Sequence, residues 1–295
     1  MKKKAFYGTS TALITPFRDG KIDYAALEKI IEAQLSGGIK SLVVGGTTAE
    51  AATLGGEERR ELYEFARAKT RGRAALILGT GTNDTAEAVR RTKEAAEIGC
   101  DAALVVTPYY NKGTVVGVTE HYQRIANCSD LPIIVYNVPG RTGVNLTFSQ
   151  LEQFSKSDKI IGIKEATDSI DRFVKIAALG EDLPLYSGND SEAYITMALG
   201  GFGIISVVSN LYPQGMLRIT DSFLAGDFAA SLKAQRDIAK LADALFLETN
   251  PAPIKYAMKL RGLCTEQLRL PLSPPSAHTK RVIKKVMEQI PDFTN

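Results

Sequence analysis

The sequence predicts an α/β fold: a (β/α)8 TIM barrel with a C-terminal three-helix appendage. Eight apolar runs alternate with helix-like segments over residues 1–226. Several of these runs are rich in β-branched residues, as in parallel strands that are buried on both faces. The length agrees, because a barrel of this type commonly uses about 250 residues for one domain and the chain has 295.

The predicted strands are short and mostly apolar. In chain order they are Gly8–Ile14, Ser41–Val44, Ala74–Leu78, Ala102–Val106, Ile133–Tyr136, Ile160–Lys164, Leu185–Ser187 and Gly203–Val207. Strands that alternate regularly with helices are typical of a parallel sheet. Eight such repeats match the count of a closed (β/α)8 barrel.

Two of the intervening helices carry clear end signals. Asp23–Leu35 has apolar residues at helical spacing and is followed by Gly37, a frequent helix terminator. Ala86–Ile98 is preceded by the capping sequence Asn83–Glu87 and is closed by Gly99. These signals support the alternation of strand and helix.

The strand pattern stops after Gly226. Three further helices are predicted beyond it, separated by the proline-rich segments 250–253 and 271–275. They are Asp227–Leu247, Pro253–Arg261 and Ser276–Gln289. We therefore expect a barrel over residues 1–226 and a helical appendage to it over residues 227–295.

Composition and charge exclude several classes of function. The net charge is +3, from 36 basic and 33 acidic residues that are not clustered, so nothing indicates a nucleic-acid or membrane partner. No apolar run approaches the roughly 20 residues of a membrane span. Three scattered cysteines without C-x-x-C spacing fit a reducing cytosol. With only His121 and His278, a histidine-based metal site or Ser-His-Asp triad is not expected.

Two neighbouring predicted strands end in reactive side chains, Tyr136 and Lys164. They are one strand–helix–strand repeat apart, so both should face the mouth of the barrel. A lysine at the end of a buried strand is unusual, because desolvating an ammonium is costly. Burial favours the neutral amine that forms Schiff bases, and a nearby phenol could move the protons. Alternatively, Lys164 caps the strand and pairs with Glu165.

Other predicted strands end in glycine and hydroxyl residues. Gly45–Glu50 follows the second strand, Thr107–Asn111 the fourth and Gly188–Asp190 the seventh. Such turns offer anion-binding donors, which a keto acid's carboxylate would require. Considered alone, these residues could also serve only in capping or packing. Lys112 and Lys255 are weaker candidates than Lys164, because we expect solvation to keep both amines charged.

Five motifs together resemble a known family, the pyruvate-dependent class I lyases and aldolases, and most of all its dihydrodipicolinate synthase branch. The likeness covers nearly the whole chain, from Gly8 to Leu272. The motifs are Gly46–Glu50, Tyr109–Tyr110, Tyr136–Pro139, Arg141–Gly143 and Gly162–Glu165. Their order and spacing both fit, and against this background a purely structural role for Lys164 loses its support.

The resemblance implies a role for each residue of the pyruvate site. Lys164 would form the Schiff base, and Tyr136 would be the general acid and base. Thr47 would connect Tyr136 to Tyr110, which in the family is contributed across a subunit interface. Thr47 and Thr48 would hold the pyruvate carboxylate.

The resemblance also implies the second substrate. The pyruvate enamine would attack L-aspartate 4-semialdehyde and the product would cyclise, which is the first committed step of diaminopimelate and L-lysine biosynthesis. Arg141 would bind the carboxylate of the aldehyde, while Gly188 and Ile205 would shape the pocket. No cofactor and no metal are expected. The implied assembly is a homotetramer (a dimer of dimers) or a homodimer in the cytoplasm.

The sequence departs from the family pattern at two places. Ala49 stands where a glycine is usual, a change that leaves the turn usable if residue 49 has a negative φ. The second departure concerns L-lysine, which inhibits some members at a dimer interface. Gly56 and Arg59 replace the usual side chains there, so we expect weak or absent inhibition. The possible effector site comprises Ala52, Gly56, Arg59, Asn83, Glu87 and Tyr109.

Three alternatives remain open. An N-acetylneuraminate lyase or a 2-keto-3-deoxy-sugar-acid aldolase would use the same lysine and tyrosine on other aldehydes. Arg141 discriminates against both, because those relatives tend to lack an arginine there. The third alternative is a small-molecule-binding barrel without turnover, which the presence of Lys164, Tyr136, Thr47 and Tyr110 disfavours.

Overall fold

The structure is a computed structural model that describes residues 5–289. Within this range, eight parallel strands close into a barrel, in which each strand pairs with the next barrel strand along the chain and the last pairs with the first. The barrel strands are β1 (Gly8–Ala12), β4 (Ser41–Val44), β5 (Ala75–Gly79), β6 (Ala102–Val106), β7 (Ile133–Asn137), β8 (Ile160–Glu165), β9 (Leu185–Ser187) and β10 (Gly203–Ser206). The predicted TIM barrel is confirmed, with strand ends within two residues of those predicted.

A small antiparallel hairpin between β1 and the first helix was not predicted. It consists of β2 (Phe17–Arg18) and β3 (Lys21–Ile22). Its turn places Asp19 at φ 51° and Gly20 at φ 77°, the left-handed conformation that two-residue hairpin turns require. Strands of two residues are too short to produce a periodic pattern in the sequence.

Helices follow the barrel strands, as predicted. They are α1 (Tyr24–Ser36), α2 (Gly56–Thr70), α3 (Thr85–Ile98), α4 (Val115–Ala126), α5 (Pro139–Thr142), α6 (Phe148–Ser155), α7 (Ile170–Ala177), α8 (Ala193–Ala198), α9 (Pro213–Leu224), α10 (Phe228–Leu245), α11 (Ala252–Leu260) and α12 (Ala277–Met287). Asp23 and Asp84 cap α1 and α3 by accepting hydrogen bonds from the backbone N–H groups of Ala26 and Ala86. No helix within residues 5–289 is long and apolar enough to cross a membrane.

The core has two apolar layers, because alternate residues of each strand point to opposite faces. One layer fills the inside of the barrel and includes Val43, Ile77, Ile134 and Ile205. The other lies between the strands and the surrounding helices. Since both faces of each strand are covered, a polar side chain at a strand end is held in a largely apolar setting.

The three predicted C-terminal helices are present as α10, α11 and α12. Their apolar residues, including Ile238, Ile254 and Ile283, join the same cluster as the outer layer of the barrel. The boundary between residues 226 and 227 stays a prediction, and residues 1–4 and 290–295 lie outside the described residues. The appendage packs closely enough on the barrel to form hydrogen bonds with the turn that follows β4.

Candidate active site

The pairing of β7 with β8 places Tyr136 directly beside Lys164. The Nζ of Lys164 lies 4.3 Å from the centroid of the Tyr136 ring. Both residues are only 6% exposed, so the amine does not point into bulk water. The strand ends thus bring together an amine and a phenol that are far apart in sequence.

Glu165 is turned away from this pair. Its carboxylate is 0% exposed and accepts hydrogen bonds from Arg172 Nε, at 2.8 Å, and from Asn137 Nδ2, at 2.8 Å. Burial raises the pKa of Glu165, and the Arg172 guanidinium opposes the rise. Glu165 is thus engaged with Arg172 and Asn137, and the alternative in which Lys164 serves only to pair with it loses its main support.

Of two further predicted residues, Gly188 lies directly against Lys164. A Cβ on Gly188 would lie 2.9 Å from Lys164 Cε and 2.8 Å from the Cβ of Ala166. Only glycine therefore leaves room for the lysine side chain. Ile205 is fully buried and belongs to the same inner layer of the core as Tyr136.

A cavity of about 600 Å³ opens at the C-terminal ends of the barrel strands. The predicted residues Thr47, Tyr136 and Arg141 line it. Lys164 is not part of the cavity wall. Its amine packs against the ring of Tyr136, and Tyr136 is part of the wall. The cavity wall also includes Leu104, Val106, Asn250, Pro271 and Leu272, which sequence reasoning did not assign to the site.

The turn after β4 carries the two predicted threonines. Thr47–Ala49 forms one 3₁₀ turn in which the N–H groups of Ala49 and Glu50 are bonded internally. This leaves the N–H groups of Thr47 and Thr48 as candidate donors to a ligand. Ala49 is not among the residues with positive φ; that conformation falls on Glu50, at 57°. The condition set for a usable turn is therefore met.

Asn250, in the appendage, contacts two of the predicted binding residues. Its Nδ2 donates to Thr48 Oγ1 at 2.9 Å. Its backbone carbonyl accepts from Arg141 Nη2 at 3.1 Å. Arg141 is exposed at the end of α5, and the contact with Asn250 helps to hold its guanidinium at the cavity.

Comparison with known proteins agrees with this geometry. The sequence profile of the dihydrodipicolinate synthetase family matches residues 5–290. The chain belongs to the dihydrodipicolinate synthetase family. A 4-hydroxy-tetrahydrodipicolinate synthase of Trichlorobacter lovleyi is 40% identical over 96% of this chain and 98% of its own.

Solved structures of the family agree over the same extent. A dihydrodipicolinate synthase of Thermotoga maritima superposes with a TM-score of 0.94 at 38% identity, covering 97% of this chain and 98% of its own. A chloride-inhibited dihydrodipicolinate synthase of Acinetobacter baumannii, solved with pyruvate, superposes with a TM-score of 0.94 at 39% identity. The match covers 96% of this chain and 98% of its own.

Tyr110 does not lie in the cavity of its own chain. Its side chain is 89% exposed, and its backbone has a φ of 72°. The neighbouring Tyr109 does line the cavity, with its hydroxyl 3.5 Å from Thr82 Oγ1. Within one chain, Tyr110 is therefore not in place to complete the predicted relay from Tyr136 through Thr47.

The predicted effector residues fall on both sides of the cavity rim. Ala52 and Tyr109 line the cavity, whereas Gly56 is exposed at the start of α2. Arg59 is only 2% exposed, and its Nη2 lies 3.7 Å from Glu87. Asn83 accepts a hydrogen bond from Asn111 through its backbone carbonyl. Arg59 thus directs its charge inward, toward a residue of the same predicted site.

One expectation about the lysines was wrong. Solvation was expected to keep the Lys255 amine charged, but Lys255 is 0% exposed and forms an ion pair with Glu50. Its Nζ also donates to the carbonyl of Gln267 at 2.9 Å. These bonds occupy the Lys255 amine, whereas the Lys164 amine packs on the ring of Tyr136, a residue of the cavity wall, so Lys164 is still the better candidate nucleophile.

Within residues 5–289, no three His, Cys, Asp or Glu side chains are grouped as a metal site would require. His121, on α4, has its Nδ1 3.0 Å from Thr85 Oγ1. The polar residues that line the cavity are threonines, tyrosines, arginines, one asparagine and Glu50, whose carboxylate is bonded to Lys255 and Arg269. Such groups can bind carboxylates and move protons.

Proposed function

We propose that the chain has 4-hydroxy-tetrahydrodipicolinate synthase activity, condensing pyruvate with L-aspartate 4-semialdehyde at the start of diaminopimelate and L-lysine biosynthesis. The observation that carries this proposal is the Lys164 amine packed on the phenol ring of Tyr136 at the mouth of the barrel. The dihydrodipicolinate synthetase family assignment supports it. So do relatives that bear this activity in their names.

The first half of the reaction forms an enamine on Lys164. The neutral amine attacks C2 of pyruvate, and Tyr136 donates a proton to the oxygen as the carbinolamine forms. Loss of water gives the imine, and removal of a proton from C3 gives the enamine. Thr47 and Thr48 hold the carboxylate of pyruvate through their N–H and hydroxyl groups.

The second half joins the two substrates. The enamine carbon attacks the aldehyde of L-aspartate 4-semialdehyde, whose carboxylate is bound by Arg141. The amino group of this substrate then attacks the imine carbon, closing a six-membered ring and releasing Lys164. A planar guanidinium at the cavity rim suits this carboxylate, because it can form two parallel hydrogen bonds.

The proposed relay requires more than one subunit. Tyr110 is exposed, and Val115 and Val116 at the start of α4 are 54% and 67% exposed. A second copy packed on this surface would cover the two valines and bring its Tyr110 toward the cavity. We infer a homodimer as the smallest active unit and a homotetramer, a dimer of dimers, as the full assembly. Analytical ultracentrifugation tests this directly.

A sugar-acid lyase or aldolase is the second candidate reaction. Those enzymes bind polyol chains, which need several hydroxyl partners and no guanidinium. Arg141 at the cavity rim favours a carboxylate-bearing aldehyde instead. Coupled assays with L-aspartate 4-semialdehyde, with N-acetylneuraminate and with a 2-keto-3-deoxy-sugar acid separate the reactions. Turnover of either sugar acid above that of the semialdehyde would reject the first proposal.

Trapping with borohydride tests the central step. Wild-type protein incubated with pyruvate and borohydride should gain a stable adduct that maps to the peptide containing Lys164. The variant Lys164→Ala should gain none. Lys112→Ala is the matched control, because Lys112 is an exposed lysine beside Tyr110, and it should be trapped as fully as the wild type. An adduct on another lysine, or no adduct, contradicts the proposal.

A further inference from the structure

A buried ion pair joins the β4 turn to the C-terminal appendage. Glu50 is 3% exposed and Lys255 is 0% exposed. One carboxylate oxygen of Glu50 accepts from Lys255 Nζ. The other accepts from the backbone N–H of Arg269 at 2.9 Å. Both oxygens of Glu50 are therefore bound by groups of the appendage, although Glu50 itself follows a barrel strand.

Glu50 has an unusual backbone conformation and lies between two turns of the cavity wall. Its φ of 57° lies in the left-handed region, which few residues other than glycine adopt. It ends the Thr47–Ala49 turn and begins the Ala51–Thr53 turn. Residues of both turns line the cavity. The conformation of Glu50 thus sets the direction of two stretches of the cavity wall.

The same appendage segment contacts the groups proposed to bind substrates. Asn250 immediately precedes Pro251, and the N–H of Lys255 donates to the Pro251 carbonyl at 3.0 Å in the first turn of α11. Anchoring Lys255 therefore also positions Asn250. Asn250 in turn bonds Thr48 Oγ1 and Arg141 Nη2.

Stability alone is a poor explanation for this pair. Desolvating two charges offsets much of their attraction, and apolar residues of similar size often serve as well or better in a core. What an ion pair adds is directional bonding. Here that bonding fixes one register of α11 against the β4 turn.

We propose that Glu50 and Lys255 are a positioning pair, which locks α11 against the Thr47–Glu50 turn so that Asn250 orients the Thr48 hydroxyl and the Arg141 guanidinium. This inference rests on the proposed function, since Thr48 and Arg141 matter as substrate-binding groups. Lys255 does not line the cavity and both carboxylate oxygens of Glu50 are already bonded, so neither member is proposed to contact the reacting atoms. Loss of the pair should therefore weaken the binding of both substrates while the chemistry at Lys164 continues.

The double variant Glu50→Gln/Lys255→Met tests the pair without leaving a lone buried charge. We expect KM for pyruvate and KM for the aldehyde each to rise by about tenfold or more, while kcat stays within about threefold of wild type. This is the pattern that loss of substrate-binding contacts predicts. A role in folding alone would lower the active fraction, and with it kcat, and leave KM unchanged. The control is Lys233→Met/Asp237→Asn, which removes an exposed ion pair of α10, elsewhere in the appendage, at 2.7 Å and should change neither constant.

A second variant covers failure of the first to fold. Asn250→Ala removes the bond to Thr48 without touching the pair, and it should raise KM for pyruvate. When both changes are combined, their effects on KM should be less than additive, because they act through one contact. Unchanged KM values in a folded double variant, or in Asn250→Ala, overturn the positioning role.

Borohydride trapping separates this inference from the proposed function. Trapping of the wild type across pyruvate concentrations gives the pyruvate dependence without the second substrate. If the wild type is trapped and the double variant shows the same dependence on pyruvate concentration, the positioning role is rejected and the proposed function stands. Wild type that is not trapped rejects the proposed function and the positioning role with it.

Discussion

Tyr136 and Lys164 are register partners on neighbouring strands, and the lysine Nζ lies 4.3 Å from the centre of the phenol ring. The variant Tyr136→Phe removes the hydroxyl but keeps the ring on which the amine packs. If the hydroxyl is the general acid and base, kcat should fall by roughly 10²–10⁴. Steady-state assays and the rate of borohydride trapping measure the loss. A decrease below threefold would reject the role.

The exposure of Tyr110 leads to a complementation test. Tyr110→Phe and Lys164→Ala should each have little activity when assayed alone. When the two are denatured together and refolded, mixed dimers should combine an intact Lys164 with the tyrosine of the other chain. In an isologous dimer with random pairing, about a quarter of the sites are then complete. No recovery above the separate variants would show that Tyr110 does not act across the interface.

Arg141 should govern the second substrate only. Arg141→Ala removes a charged hydrogen-bonding group from the cavity rim, so KM for L-aspartate 4-semialdehyde should rise by about tenfold or more. Trapping of pyruvate should survive. Arg124→Ala is the control, because Arg124 lies on α4 and its side chain is 72% exposed. This variant should leave both KM for the aldehyde and the trapping of pyruvate unchanged. Equal damage to pyruvate trapping and to aldehyde turnover would contradict a specific role.

Inhibition by L-lysine should be weak or absent. Glu87 already receives hydrogen bonds from Arg90 and Arg91, and Arg59 Nη2 lies 3.7 Å away. A cationic effector would compete with three arginines for this carboxylate. Arg59→Met removes one competitor and should increase sensitivity to lysine. Initial-rate titrations of both proteins decide, and millimolar or tighter inhibition of the wild type would show the prediction to be wrong.

Acid should weaken the fold partly through His121. Burial lowers the pKa of His121 to about 4, with Asp84 acting in the opposite direction. An unfolded histidine titrates near pH 6.5, so between about pH 6.5 and 4 the unfolded chain binds a proton that the folded chain does not. The free energy of unfolding should therefore fall on acidification across this window, by up to about 3 kcal/mol.

Urea unfolding between pH 4 and 7 measures this contribution. The comparison is with His121→Gln, which keeps a polar group near Thr85 and has no charge to gain. The pH dependence of the wild type should be the steeper of the two. If the free energy of unfolding depends on pH in the same way in both proteins, His121 does not contribute to the acid sensitivity of the fold.

The sequence predicted the barrel well because its signals are local. Runs of β-branched residues buried on both faces are readable one strand at a time, as Ile133–Tyr136 and Ile160–Lys164 show. The closeness of Tyr136 and Lys164 followed from the general geometry of parallel strands. The β2–β3 hairpin was missed because two residues such as Phe17–Arg18 carry no period.

Other parts of the site depend on partners that the sequence cannot pair. Glu50 and Lys255 are 205 residues apart, and Asn250 and Thr48 are 202 apart. Nothing local identifies Lys255 as buried, because an amphipathic helix can expose a lysine just as well. A buried side chain with a distant partner becomes visible only when the appendage is packed on the barrel.

The position of Pro271 and Leu272 in the cavity wall has a consequence for synthesis on the ribosome. A nascent chain that has emerged only through β10 already carries Tyr136, Lys164 and the β4 turn. Its cleft still lacks the wall that these two residues supply. We therefore expect the wall of this cavity to be complete only late in translation, close to release of the finished polypeptide.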